Sequence, residues 1–184
     1  MVGRGSSAYE RELRTLLEGE PSTVRAYSRV LAPELRSAFE RLSEEPYLVI
    51  RGAGSLGFDL VAMRREFAFP LEVKASSEAV IRFTAASGRA DAQLAAHRAA
   101  VGRVGLTVLY AYRRLGLRNA EPWRVFLASP PPEWGVLRFL CRRLPPVNTT
   151  REGHGILRWE EGMPLSRFLD QVRYLTERPP AVPA

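Results

Sequence analysis

The sequence has one cysteine, Cys141, two histidines and a single lysine, Lys74. A lone cysteine makes no internal disulfide and cannot assemble a thiolate metal centre, so a disulfide-stapled scaffold and a zinc-finger site are both excluded. His97 and His154 stand far from any second ligand at metal spacing and read as helix or surface histidines. No segment approaches the roughly 18 consecutive apolar residues of a spanning helix, and the opening MVGRGSSAYERE lacks the apolar stretch of a signal peptide. The expectation is a soluble, cytoplasmic chain with no membrane partner. There is no internal repeat and no long low-complexity tract.

What the chain has is arginine. Of its 27 basic residues, 26 are arginines against 20 acidic groups, for a net charge of +7. The excess is uneven: residues 1–50 carry a net −1, residues 51–128 a net +6 and residues 129–184 a net +2. Clustered arginines gain affinity for a polyanion by releasing its counterions, so the basic middle points to nucleic acid. A compositional preference for arginine with no ligand behind it is the plain alternative. With 184 residues, 46% of them hydrophobic, the chain suits one domain over 1–184 with a sizeable core.

The pattern begins with helices. Residues 8–18 read as a helix with Ser7 as N-cap and Glu10 closing a capping box, and Leu13, Leu16 and Leu17 on one face. Helical spacing recurs over 22–31 and again after Pro33. The period then shortens to that of strands at 47–51, 58–63 and 67–74, the last two joined by a turn at 64–66. Pro70 cannot donate a ladder hydrogen bond, which predicts an edge position or a bulge. A short strand at 80–84, an alanine-rich helix over 88–102 closed by glycine, and strands at 106–112 and 123–128 follow. A helix-like stretch at 133–144, an irregular loop at 145–155, a strand at 156–159 and a helix at 164–175 complete the order. This succession predicts an α/β domain with a mixed sheet.

Chemistry concentrates in sixteen residues. Glu72 and Lys74 lie at i and i+2 of one strand and so share a face. Asp59 is five residues before Arg64 and Glu72 six after Glu66, so a hairpin brings the two carboxylates together. Two carboxylates and an ammonium at one point are costly unless a hard cation joins them. Magnesium takes one or two carboxylates, waters and substrate phosphate, and activates a bound water for attack on a phosphodiester. Lys74 would then position that water or offset charge on the phosphate. Alone, an E-x-K triplet is also a common solvated pair on a strand face. Glu10 has two readings: a capping carboxylate, or a group on the core-facing side of its helix, with Leu13 and Leu17, that reaches the metal site.

The segments GSSAYERELRTLLE, VIRGAGSLGFDLVAM and FPLEVKAS, followed by LTVLYAY, WRVFLASP and LRWEEGMPLSRFL, resemble the archaeal-type Holliday-junction resolvases of the PD-(D/E)XK nuclease superfamily. The resemblance implies a restriction-endonuclease-like core: a mixed central sheet flanked by helices. It implies a homodimeric endonuclease that uses Mg2+, with Mn2+ as a substitute, to resolve four-way DNA junctions by paired nicking. By position, Glu10, Asp59 and Glu72 match the metal carboxylates and Lys74 the catalytic lysine. Arg51 and Ser55 match loop residues beside the scissile phosphate, Ser55 counting among the catalytic set. Arg64 and Arg65, in the turn, join Arg51 and Ser55 as DNA-contact candidates. Asp91 and Gln93 follow on the next helix with nothing to mark them.

The chain departs from the pattern in three places. Phe58 replaces the proline of the superfamily name, and residues 19–46 and 131–155 are insertions, the first helical. The core set is intact, which favours an active enzyme. The competing functions are a repair, phage-type or restriction-like nuclease on other DNA forms, and a non-catalytic DNA-binding protein of the same fold.

Overall fold

The computed structural model describes residues 6–52, 57–84, 89–105, 107–118, 120–130 and 137–177. Three helices come first: α1 (Ser6–Leu17), α2 (Pro21–Arg29) and α3 (Pro33–Glu40), the last running into a 3-10 turn at Arg41–Ser43. The 19–46 stretch is therefore helical, as expected. The expected capping box is not formed, because Ser7 lies inside α1 rather than before it. A carboxylate cap exists one helix later. Glu20 accepts from the N–H groups of Ser22 and Thr23 and from both hydroxyls, which holds its carboxyl down to about 2.

The strands β1 (Leu48–Arg51), β2 (Leu60–Arg64), β3 (Phe67–Ser76), β5 (Leu109–Arg114), β6 (Trp123–Leu127) and β9 (Met163–Pro164) form one six-stranded sheet in the order β1-β2-β3-β5-β6-β9. Every pairing in it is antiparallel except β3 with β5. A parallel pair needs a long crossover, and the connection from β3 to β5 contains α4 (Arg89–Val104). This is the α/β arrangement with a mixed central sheet and flanking helices that the resemblance implied. Pro70 lies in an interior strand, yet there β3 pairs with β2 alone, because β5 joins only from Leu71.

Some elements differ from the sequence pattern. β4 (Val80–Phe83) leaves the main sheet and pairs with β8 (Gly155–Arg158), which pairs in turn with β7 (Asn148–Thr149) inside the expected loop. α4 runs past Gly102 to Val104, and Gly105, at φ +69, closes it by donating to Val101 O. The expected helix at 133–144 is seen as α5 (Leu137–Cys141), its earlier part lying outside the described residues. α6 (Leu165–Glu177) is the final helix. Among the described residues no helix is long and apolar enough to cross a membrane.

Alternation along the strands divides the core in two. Leu71, Val73, Leu109 and Ala111 pack with residues of α1, α2, α3 and α6 on one face. Tyr110, Tyr112 and Phe126 pack on the other with Leu94 of α4 and with Phe83, Leu157 and Trp159. Glu72 and Lys74 belong to the second face by parity, opposite the helical layer.

Candidate active site

The β2–β3 hairpin sets the geometry. A two-residue turn, Arg65–Glu66, pairs Arg64 with Phe67 and carries the register down to Leu60 opposite Leu71. One step further, Asp59 stands opposite Glu72, with its N–H on Leu71 O at 3.1 Å. Its side chain turns onto the next peptide: Oδ2 accepts from Val73 N–H at 2.7 Å. The loop before Asp59 is pinned at Gly52, whose N–H donates to Asp59 O at 2.8 Å. A Cβ at Gly52 would lie 1.8 Å from Phe58 O, so only glycine allows β1 and the Asp59 segment to approach this closely.

Glu72 is 3% exposed and both its oxygens are engaged. Oε1 accepts from Lys74 Nζ at 2.5 Å and Oε2 from Gln93 Nε2 at 2.9 Å. Gln93 Oε1 in turn accepts from Lys74 Nζ at 3.2 Å, and its Nε2 reaches Gly57 O at 3.3 Å. Burial pushes the Glu72 carboxyl up to about 7; the Lys74 ammonium opposes this and the Asp59 charge adds to it. Burial also raises Asp59, with the Glu10 charge adding to it and the Val73 N–H opposing it. Two adjacent carboxyls are thus both harder to ionise than in water.

His97 completes the arrangement from α4. Its Nε2 lies 2.6 Å from Gly57 O and its Nδ1 2.8 Å from the Tyr110 hydroxyl. A carbonyl only accepts, so Nε2 carries the proton and Nδ1 of the neutral ring accepts from Tyr110. Burial lowers the His97 pKa, which keeps the ring in that form. Phe58 stacks on the imidazole at 4.8 Å. His97 is a buried histidine that ties the Asp59 loop to α4 and β5, where the sequence reading had only a helix or surface residue.

The remaining candidates divide. Glu10 bears electrostatically on Asp59 and meets Arg51 Nη2 at 3.4 Å; Arg51, 61% exposed in its side chain, ends β1 opposite Leu60. Ser55 lies outside the described residues. Arg64 and Arg65 are at the opposite end of β2 from Asp59. Arg64 pairs with Glu45 at 2.5 Å with its side chain 9% exposed, and Arg65 donates to Thr176 O at 2.6 Å. The hairpin turn is therefore tied to the helical layer. Gln93 and His97 are the residues that the sequence reading did not mark. Their signal was placement: on an alanine-rich helix they stand at i and i+4, and His97 is in line with Leu94 and Val101.

The donor set suits a hard divalent cation in kind: oxygen only, with two neighbouring carboxyls whose raised pKa values a cation would reverse. Among the described residues no group of three His, Cys, Asp or Glu side chains is arranged to hold a metal. The fit is that of a two-carboxylate site, Asp59 and Glu72, which would leave a cation's remaining positions to other oxygen ligands.

No protein-family model matches the chain, and no curated protein matches it. Among solved structures the chain is similar to Hjc, a Holliday junction resolvase from the archaeal hyperthermophile Archaeoglobus fulgidus. The identity is 14% and the TM-score 0.45, over 79% of this chain and 96% of that one.

Proposed function

We propose that the protein is a magnesium-dependent, structure-specific DNA endonuclease that resolves four-way junctions by paired nicking. The observation that carries this reading is the gathering of Asp59, Glu72, Lys74 and Gln93 at one point of the sheet, on a chain whose residues 51–128 carry a net +6 of its total +7. Asp59 and Glu72 would hold Mg2+, or Mn2+ in its place, with Glu10 close enough to support Asp59. The ion supplies a water of lowered pKa and neutralises phosphate charge.

The chain's own groups do the rest. Lys74 is a compact point charge held by Glu72 and Gln93, placed to meet negative charge developing on the phosphate. Gln93 fixes both the Glu72 carboxylate and the Lys74 ammonium, so neither has to be organised during the reaction. The His97–Gly57 contact keeps Asp59 in register with β3. Arg51 and Ser55 would act beside the scissile phosphate, as the sequence resemblance implies. A junction has two-fold symmetry, so paired nicks call for two sites and hence a C2 homodimer.

The test is cleavage of a labelled four-way junction in Mg2+, set against linear duplex of the same sequence, with Asp59→Asn and Glu72→Gln as inactive controls. Equal cutting of duplex favours the repair, phage-type or restriction-like alternative. One observation favours a non-catalytic DNA-binding protein: both Glu72 oxygens are already occupied by Lys74 and Gln93. On that reading a metal titration shows no binding, while junction affinity survives both substitutions.

A further inference from the structure

An open cleft of about 690 Å³ lies between α2 and the β5–β6 connection, away from the carboxylates. Its walls differ in character. Arg113, Arg114 and Arg118 supply three guanidinium groups against one carboxylate, Glu12, while Val30, Leu117 and Tyr27 make an apolar surface. Val30 is 52% exposed. The Tyr27 hydroxyl, on the inner wall, is buried with no hydrogen-bond partner among the described residues. Such a group is costly until a polar atom reaches it.

The arginines are committed to different degrees: Arg113 lies over the Tyr9 ring at 4.9 Å and Arg114 over the Trp159 ring at 5.5 Å. Arg114 meets Glu160 at 3.2 Å, but that carboxylate is 73% exposed, and such pairs contribute little. Arg113 uses Nε on Glu12 at 2.9 Å, which leaves its terminal nitrogens for another partner. Arg118 is exposed and makes no ion pair among the described residues.

Position relates the cleft to the candidate site. β3 and β5 are parallel, with Glu72 beside Tyr110, Lys74 beside Tyr112, and Ser76 beside Arg114. Arg114 is thus four residues along the strand pair from Glu72, about 13 Å at 3.3 Å per residue. One wall of the cleft, α2, belongs to the helical stretch 19–46 and packs on the sheet face opposite Glu72 and Lys74, so Arg114 at the end of β5 is the cleft's link to the site.

We propose that this cleft is a subsite for an unpaired nucleotide of the DNA strand that runs past the candidate site. The inference rests on the nuclease reading and adds to it. The volume is that of a small-molecule pocket and is large enough for a nucleotide. The guanidinium groups meet phosphate and can stack on a base, and Val30 and Leu117 offer the base an apolar wall. A splayed-arm fork supplies such a nucleotide outright and a four-way junction supplies one where pairing opens at its centre, whereas blunt duplex does not.

The experiment measures binding of the full-length protein to a splayed-arm fork and to blunt duplex of matched sequence, across a salt series in EDTA. Arg118→Ala is expected to weaken fork binding about tenfold and to reduce the salt slope by about one, with duplex affinity changed less than twofold. Val30→Glu, which puts a carboxylate in the cleft at an exposed position, is expected to lower fork affinity at least as much. Thermal melts check that both variants fold. Equal losses on fork and duplex, or no loss on either, overturn the subsite. A protein that keeps the Arg118-dependent fork preference but cuts nothing in Mg2+ supports the subsite and removes the nuclease reading alone. Absence of salt-dependent DNA binding overturns both.

Discussion

Glu72 makes the metal-free protein lose stability as the pH rises. Its carboxyl, raised from 4.5 to about 7 by burial, binds its proton more tightly in the native state than in the unfolded chain. Stability from this group is fully present below pH 4.5. It is lost progressively as the pH climbs through the folded pKa, because unfolding then releases a proton. A shift of this size amounts to about 3 kcal/mol, since each pKa unit is worth 1.36 kcal/mol. Asp59, also raised, adds in the same direction.

For a chain of this length that loss amounts to roughly 6–12 °C in melting temperature. The assay is urea denaturation of wild type and Glu72→Gln from pH 4 to pH 8.5, in EDTA and again in millimolar Mg2+. In EDTA the wild type should lose stability across pH 4.5 to 7 by about 3 kcal/mol more than the glutamine variant, which keeps only the smaller loss from Asp59 and the other raised carboxyls. Mg2+ should restore the wild type at pH 8 and leave the variant little changed, since the cation binds the ionised carboxylate. Parallel pH profiles for the two proteins would refute the account of Glu72 as a carboxyl ionised at a cost.

Gly52→Ala forces a methyl group to within 1.8 Å of Phe58 O. It should lower stability by about 1–3 kcal/mol in denaturant and abolish junction cleavage through displacement of Asp59. Lys74→Arg should reduce single-turnover cleavage at least a hundredfold without changing DNA affinity, because a planar fork cannot occupy the place of a compact ammonium bonded to both Glu72 and Gln93. Gln93→Ala should slow cleavage about ten- to a hundredfold with DNA binding intact, as Glu72 and Lys74 lose their shared partner.

The hairpin was legible because two strong local signals agreed. Short β-rich runs marked both strands, and the short turn fixed a register that counts Asp59 across to Glu72. Glu72 and Lys74 then had to share a face whatever the rest of the fold did. Other features depended on partners remote in sequence. Nothing local tells β4 to leave the main sheet for β8, more than seventy residues away. His97 was hidden for a related reason: in an alanine-rich helix the buried stripe is faint, and the carbonyl that makes this histidine useful lies forty residues earlier. Ser7 shows the opposite failure, a local capping signal overruled because α1 starts further upstream. The one lysine of a chain with 26 arginines stands in the β2–β3 hairpin, and the structure places it in contact with both Glu72 and Gln93.

The central claim is a cutting reaction that depends on Asp59 and Glu72, and one comparison tests it most directly. Labelled four-way junction and linear duplex are incubated with wild type, Asp59→Asn and Glu72→Gln in Mg2+. The account predicts paired nicks in the junction with wild type alone and little cutting of duplex. Unchanged junction cleavage by either variant would contradict it.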